Sequence, residues 1–300
     1  MDETTTQVRS AAPSAAPSAD PAPDPSPDDA LTLDSKAARL RAILAALDGA
    51  MVCFSSGVDS TFLLAEAVAV LGDRAVALTA DSPSLPRAEL EEARRLARAL
   101  GVARHLIVET DELARPAYAA NPDNRCYHCK AEMLRHAASA AAAQGGATIL
   151  VGTNVDDLGG HLPGLDAIQE AGARMPLVEA ALTKAEIRAL SRRAGLPSAD
   201  KPEMACLASR FPTGTAITAA RLERVERFEA GLAELGFVGL RVRFHEPIAR
   251  LELAPSQFPR ALDPARRERI LELGRSLGFR FVALDLAGYR RGALSDLDAG

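Results

Sequence analysis

Ala50-Met51-Val52-Cys53-Phe54-Ser55-Ser56-Gly57-Val58-Asp59-Ser60-Thr61 passes from a short apolar run, through a turn of small residues, into a helical pattern. A strand–turn–helix of this kind aims backbone N–H groups and the positive end of a helix at one point, which suits an anion. Gly57 lets the backbone approach a phosphate closely, and Ser55, Ser56 and Ser60 add hydroxyl donors. Asp59 would repel a bare phosphate, so its place in the loop predicts Mg²⁺ between carboxylate and pyrophosphate. The spacing is not the G-x-x-x-x-G-K-[ST] of a Walker loop. For the loop taken alone, the plain alternative is an ordinary turn capped by Ser or Asp.

The flanking segments repeat the strand–helix pattern. Asp34 or Ser35 caps a helix to about residue 47, and Ala50–Phe54 is a buried strand followed by a helix over Ser60–Leu71. Ala75–Ala80, His105–Glu109 and Thr148–Val151 read as strands, with helices over Pro86–Leu100 and Ala131–Gln144 between them. This alternation predicts an α/β fold, a parallel sheet covered on both faces. After about residue 212 the order becomes helix (Ala219–Leu235), strands (Leu240–His245 and Ala249–Leu253), helix (Pro264–Leu277) and strand (Phe281–Leu284), with Glu246-Pro247 at the turn. That order predicts a smaller C-terminal α+β domain over 213–300, after a larger domain over 34–212 that carries the loop.

Residues 1–33 form a tail of Ala, Pro, Ser and Asp, too poor in large apolar side chains to offset the entropy of ordering. Up to Asp34 this stretch carries −6 of the net −5, which leaves the body at +1. No overall basic excess marks a nucleic-acid partner. No apolar run reaches a membrane span and no signal peptide opens the chain, so a cytoplasmic location is expected.

Thr79-Ala80-Asp81-Ser82-Pro83 ends the second strand, where a sheet of this type contacts adenine; Thr79, Asp81 and Ser82 are the candidates. Cys126 and Cys129 form a C-x-x-C in Asn121–Lys130, and Cys206 stands in Lys201–Arg210, KPEMACLASR. Cys53 falls in the first strand and reads as a small core residue. The other three thiols suit a zinc half-site, a redox pair, or an iron–sulfur site with one iron left open. His128 is poorly placed as a fourth zinc ligand, and the five histidines show no ligand pattern.

The loop resembles the S-G-G-x-D-S signature of the PP-loop ATP pyrophosphatases, with Ser56 in place of the first glycine. Taken with the rest, the chain is similar to the LarE-type ATP-dependent sulfur transferases over about residues 36–290. The resemblance rests on Phe54–Leu63, Leu78–Glu92, Arg125–Lys130, Gly152–Gly159, Pro176–Glu186, Lys201–Arg210 and Arg241–His245. It implies a Rossmann-like, adenine nucleotide alpha hydrolase-like fold and cleavage of ATP at its α-phosphate. It also implies adenylation of a nicotinate-derived mononucleotide and exchange of carboxylate oxygen for sulfur, toward the nickel-pincer cofactor of lactate racemase. Cys206 is then the sulfur-handling residue. Together with Cys126 and Cys129 it is the ligand set of a [4Fe–4S] cluster; without the cluster, Cys206 is the sacrificial donor. Arg241 and Arg243 are implied as a clamp on the substrate phosphate, with an exposed strand face lined with charge as the plain alternative, and Ser209 and Arg210 as groups orienting the adenylate. Asp157 joins Asp59 at Mg²⁺, with Asp156 beside it as a second candidate or a turn residue. A homo-oligomer and an outside sulfur donor system are further implications.

Lys184 and Glu186 read as helix-surface residues, with Thr183 and Glu186 as a capping box. Two rival functions share the loop. A PP-loop tRNA thiolase would need RNA binding, which the near-neutral body disfavours, and a non-catalytic nucleotide-binding protein would use the cysteines for a structural metal.

Overall fold

The computed structural model describes residues 32–159 and 163–289; the tail read over 1–33 lies outside them, apart from Thr32 and Leu33. Helix α1 (Leu33–Ala45) leads into β1 (Ala50–Cys53), α2 (Val58–Leu71), β2 (Ala75–Asp81), α3 (Arg87–Ala99) and β3 (Arg104–Glu109). The short α4 (Pro116–Ala119) and long α5 (Arg125–Ala143) precede β4 (Thr148–Val151), and α6 (Pro163–Glu170), α7 (Pro176–Glu179) and α8 (Lys184–Arg193) follow it.

These strands form one parallel sheet in the order β3-β2-β1-β4. The side-chain alternation of β1 divides its environment into two layers. Ala50 and Val52 join a core with α1, α2, α3, α7 and α8, whereas Met51 and Cys53 face α5 and α6. The chain leaves β1 toward β2 on one side and later returns as β4 on the other. The carboxyl ends of β1 and β4 therefore flank a topological switch point, where open α/β sheets place ligands.

The second part begins with α9 (Ala219–Glu234). Next come β5 (Arg241–His245), β6 (Ile248–Glu252), α10 (Phe258–Leu262), α11 (Pro264–Ser276) and β7 (Phe281–Leu284). Strands β5 and β6 pair antiparallel across the turn at Glu246-Pro247, while β7 returns through the two helices to lie parallel to β6. The core under this mixed sheet takes in Phe228, Val242, Phe244, Leu251 and Phe279. It also reaches back to Tyr118, Leu207, Ala208 and Phe211, with Cys129 and Cys206 packed at its edge. Among the described residues, no helix is long and apolar enough to cross a membrane.

Most elements end within two residues of their expected bounds, but α5 begins at Arg125, not near Ala131. Its first turn therefore carries the whole C-x-x-C, which the Ala-rich run downstream masks. Gly152, just past β4, is needed for close packing. A β-carbon there would lie 2.9 Å from the Ser60 nitrogen and 3.1 Å from its Cα, both backbone atoms of α2. Gly152→Ala is expected to lower stability by about 1–3 kcal/mol in urea unfolding, whereas Gly159→Ala, with only one contact at 3.9 Å, serves as the mild control.

Candidate active site

The turn after β1 is built on an unusual residue. Ser56 has φ +58° and is fully buried, a left-handed conformation that a β-carbon resists. Its hydroxyl donates to Glu89 Oε2 at 3.0 Å. Lys201 Nζ closes the arrangement, donating to Glu89 Oε2 at 2.6 Å, to Ser56 Oγ at 3.1 Å and to Ser56 O at 3.2 Å. Ser55 and Ser60 hydroxyls lie 3.1 Å apart, and Ser60 Oγ donates to Gly57 O at 3.3 Å. Gly57 is the N-cap of α2 and brings no side chain to its N–H groups, so the helix start stays open to an anion.

Asp59 sits in the first turn of α2. Its Oδ2 receives Lys184 Nζ at 2.5 Å, and its Oδ1 is buried without a partner. Burial raises the Asp59 pKa above the ordinary carboxylate value and Asp157 adds to this, while Lys184 opposes both. An orphaned carboxylate oxygen beside a second acid is a donor set that fits a hard divalent cation such as Mg²⁺. Asp157 lines the same cavity, its Oδ2 accepting from the Asn154 N–H at 3.0 Å. Asp156 instead accepts from the Lys184 N–H at 2.8 Å and so caps α8. The capping box of Thr183 and Glu186 is present, but Lys184 is not a helix-surface residue. Placed at the first position of α8, it reaches across to the loop.

At the end of β2, Thr79 donates to Phe54 O at 2.8 Å and lies 2.8 Å from His105 Nε2, which makes that nitrogen the donor. Thr79 lines a cavity of about 290 Å³ between the loop, β2 and Gly152–Thr153. Asp81 lines neither this nor the larger cavity; it pairs with Arg87 at 2.5 Å. Ser82 is buried and donates to Glu112.

The larger cavity, about 520 Å³, brings together Ser55, Gly57, Asp59, Asp157 and Lys184 with Cys126, Cys129 and Cys206. Cys53 is buried, its thiol pushed up to about 11 by desolvation. Burial, and then negative charge at Cys206, pushes the Cys129 thiol up to about 12. Among the described residues no three Cys, His, Asp or Glu side chains are gathered for a single metal ion. A four-iron cluster spreads its ligands wider than one ion does, and an all-thiol set on one cavity is the donor chemistry it takes.

Cys206 precedes a 3-10 turn over Leu207–Arg210. Arg210, fully buried, holds this turn: its Nη1 donates to Ala205 O at 2.7 Å and Cys206 O at 3.0 Å, while Glu229 takes its Nε and Nη2. Ser209 Oγ also donates to Cys206 O, at 2.7 Å. Arg243 donates to Ser209 O at 2.8 Å and pairs with Glu252; Arg241 bonds Leu240 O and stacks over Tyr289. Neither lines the cavity, nor do Ser209 and Arg210. The two arginines implied as a phosphate clamp are buried, 7% and 6% exposed. Residues that sequence reasoning passed over also line it: Lys130, Glu89, Lys201, Glu112 and Tyr118. Lys130, Lys201 and Glu89 stood within quoted motifs, and a search for cations beside the thiols finds the two lysines. Tyr118 carries no local signal.

If strain at Ser56 is held by its bonds, Ser56→Ala keeps the strain and loses the bonds, whereas Ser56→Gly loses both. Ser56→Ala is expected to unfold at lower urea than Ser56→Gly, by about 1 kcal/mol. Equal midpoints would show that the turn is unstrained. With its pKa raised on folding, Asp59 binds its proton more readily in the folded chain, so its contribution falls as pH rises through that window. In chelator, Asp59→Asn should melt higher than the parent at neutral pH, and the difference should vanish below the ordinary carboxylate range. A lower melt at neutral pH would mean that the pair with Lys184 outweighs burial.

No protein-family model matches the chain. It is 43% identical over 263 residues to an uncharacterized protein of Synechocystis, covering 88% of this chain and 98% of that one. It is 38% identical over 266 residues to the pyridinium-3,5-bisthiocarboxylic acid mononucleotide synthase of Lactiplantibacillus plantarum, covering 88% and 95%. An uncharacterized protein of Methanocaldococcus jannaschii is 25% identical over 170 residues, 57% of this chain and 66% of its own length. A helix start open to an anion and three thiols line one cavity, and the similarity covers nearly nine-tenths of the sequence: the chain belongs to the LarE family of sulfur transferases.

Proposed function

We propose that this protein is an ATP-dependent sulfur transferase acting on pyridinium-3,5-biscarboxylic acid mononucleotide, whose carboxylates it turns into thiocarboxylates for a nickel-pincer cofactor. The supporting observation is the single cavity of about 520 Å³ that holds both the Ser55–Asp59 loop and the thiols of Cys126, Cys129 and Cys206. Activation and sulfur delivery can then share one space.

A carboxylate is a poor electrophile with a poor leaving group. In the first step its oxygen attacks the α-phosphorus of ATP and pyrophosphate departs, leaving an acyl adenylate. The open start of α2, with the Ser55 and Ser60 hydroxyls, binds the phosphates. Mg²⁺ held by Asp59 and Asp157 supplies charge neutralisation there. Lys184, now on Asp59, and Lys130 at the cavity wall add positive charge. In the second step a sulfur nucleophile attacks the acyl carbon and AMP leaves. A [4Fe–4S] cluster on Cys126, Cys129 and Cys206 supplies that sulfur when bound. Otherwise Cys206 attacks through its own sulfur; loss of its α-proton and of the Cβ–S bond then releases thiocarboxylate and leaves dehydroalanine. Arg210 and Ser209 fix the Cys206 carbonyl and so orient the thiol.

Asp59→Asn is expected to lower pyrophosphate release by at least about a hundredfold, and Cys206→Ala to abolish thiocarboxylate while pyrophosphate release continues. Sulfur transfer surviving in Cys206→Ala would overturn the reading. Intact mass after turnover separates the two sulfur routes: a loss of about 34 Da marks the sacrificial one, and an unchanged mass with iron and visible absorbance marks the cluster.

A further inference from the structure

Tyr118 is a core residue, 1% exposed, in the cluster against which Cys129 and Cys206 pack. It also lines the cavity that these thiols share with the nucleotide loop. Among the described residues its hydroxyl has no hydrogen-bond partner. The polar groups around it are engaged with one another. Ser82 and Ser84 both donate to Glu112 Oε1, Ser84 at 3.2 Å, and Thr110 donates to Oε2 at 2.9 Å. Ser84, whose hydroxyl lies near, does not meet Tyr118 in hydrogen-bonding geometry.

A buried hydroxyl without a partner destabilises a fold, and phenylalanine would fill the same space without that penalty. The oxygen is therefore unexplained by packing. A phenol keeps its proton at neutral pH. It is a donor lacking an acceptor, on a cavity wall that also carries Cys129 and Cys206.

We propose that Tyr118 donates a hydrogen bond to the sulfur in transit at Cys129 and Cys206, and so steadies it for attack on the activated carboxylate. This rests on the sulfur-transfer reading above. The acceptor chemistry is a sulfur anion, either the Cys206 thiolate or a sulfide on a cluster that the three cysteines would hold. No bond of Tyr118 breaks: its proton stays on oxygen, and the hydrogen bond offsets part of the cost of holding an anion there.

The test compares the full-length protein with Tyr118→Phe, both purified anaerobically and given ATP, Mg²⁺ and the carboxylated pyridinium mononucleotide. Melting temperature without substrates should be equal or higher by about 1–3 °C, because an unsatisfied group is gone. Single-turnover pyrophosphate release should stay within about twofold, while thiocarboxylate formation falls at least about tenfold. Intact mass of the parent after turnover identifies which sulfur is served. Thiocarboxylate formed at the parent rate would overturn the proposal. So would a lowered melt with pyrophosphate and thiocarboxylate falling in parallel, since that marks a structural role. A parent that releases pyrophosphate but makes no thiocarboxylate would defeat the sulfur-transfer reading itself, and the role of Tyr118 with it.

Discussion

A left-handed serine is an expensive way to turn a chain, and in this protein the turn at Ser56 holds the site together. Its backbone is kept in place by the Glu89 carboxylate and the Lys201 ammonium, which meet at its hydroxyl. Glycine would adopt the same φ freely, but it offers no hydroxyl to either partner. The substitution thus exchanges conformational ease for a three-way polar bond. Because Lys201 begins the segment that carries Cys206, the Ser55–Ser60 loop and that segment are pinned at one point. Glu203, two residues on, comes within 3.9 Å of Lys184, which already holds Asp59.

A second set of charges supports the other end of that segment. Arg210 and Arg243 lie in the interior and direct donors at the carbonyls of Ala205, Cys206 and Ser209. Ion pairs buried in this way rarely add net stability, since desolvation offsets their attraction. Their contribution is geometric. The rigid fork of a guanidinium can hold two carbonyls and a carboxylate at once, and Glu229 extends the hold by accepting from the Val242 N–H at 2.9 Å. Strand β5 and helix α9 are in this way connected to the carbonyl of Cys206 through three side-chain hydrogen bonds or fewer.

Legibility from sequence followed the range of the interaction. Strands β1 to β4 and β5 to β7 were readable because each is a short apolar or alternating run bounded by turn residues, and Thr183 with Glu186 announced α8 through a local rule. The Ser55–Ser60 loop and the three thiols stand out because they are compressed into motifs. What the sequence hides depends on tertiary reach. Lys184 looks like any exposed lysine until α8 is docked against α2. Arg241 and Arg243 look like an exposed charged strand face, because alternation cannot say that Glu252 and the 3-10 turn lie beneath it. The start of α5 at Arg125 was hidden by Cys, Tyr and His, weak helix formers that the fold overrides. Tyr118 and Glu112 come from a stretch with no periodicity at all.

Two of the three hydrophobic cores meet at the same cavity. The Ser55–Ser60 loop grows from the core around β1, whereas Cys129 and Cys206 pack on the core beneath the mixed sheet. A small molecule that touches both walls binds only where both cores are intact, and by linkage it stabilises them together.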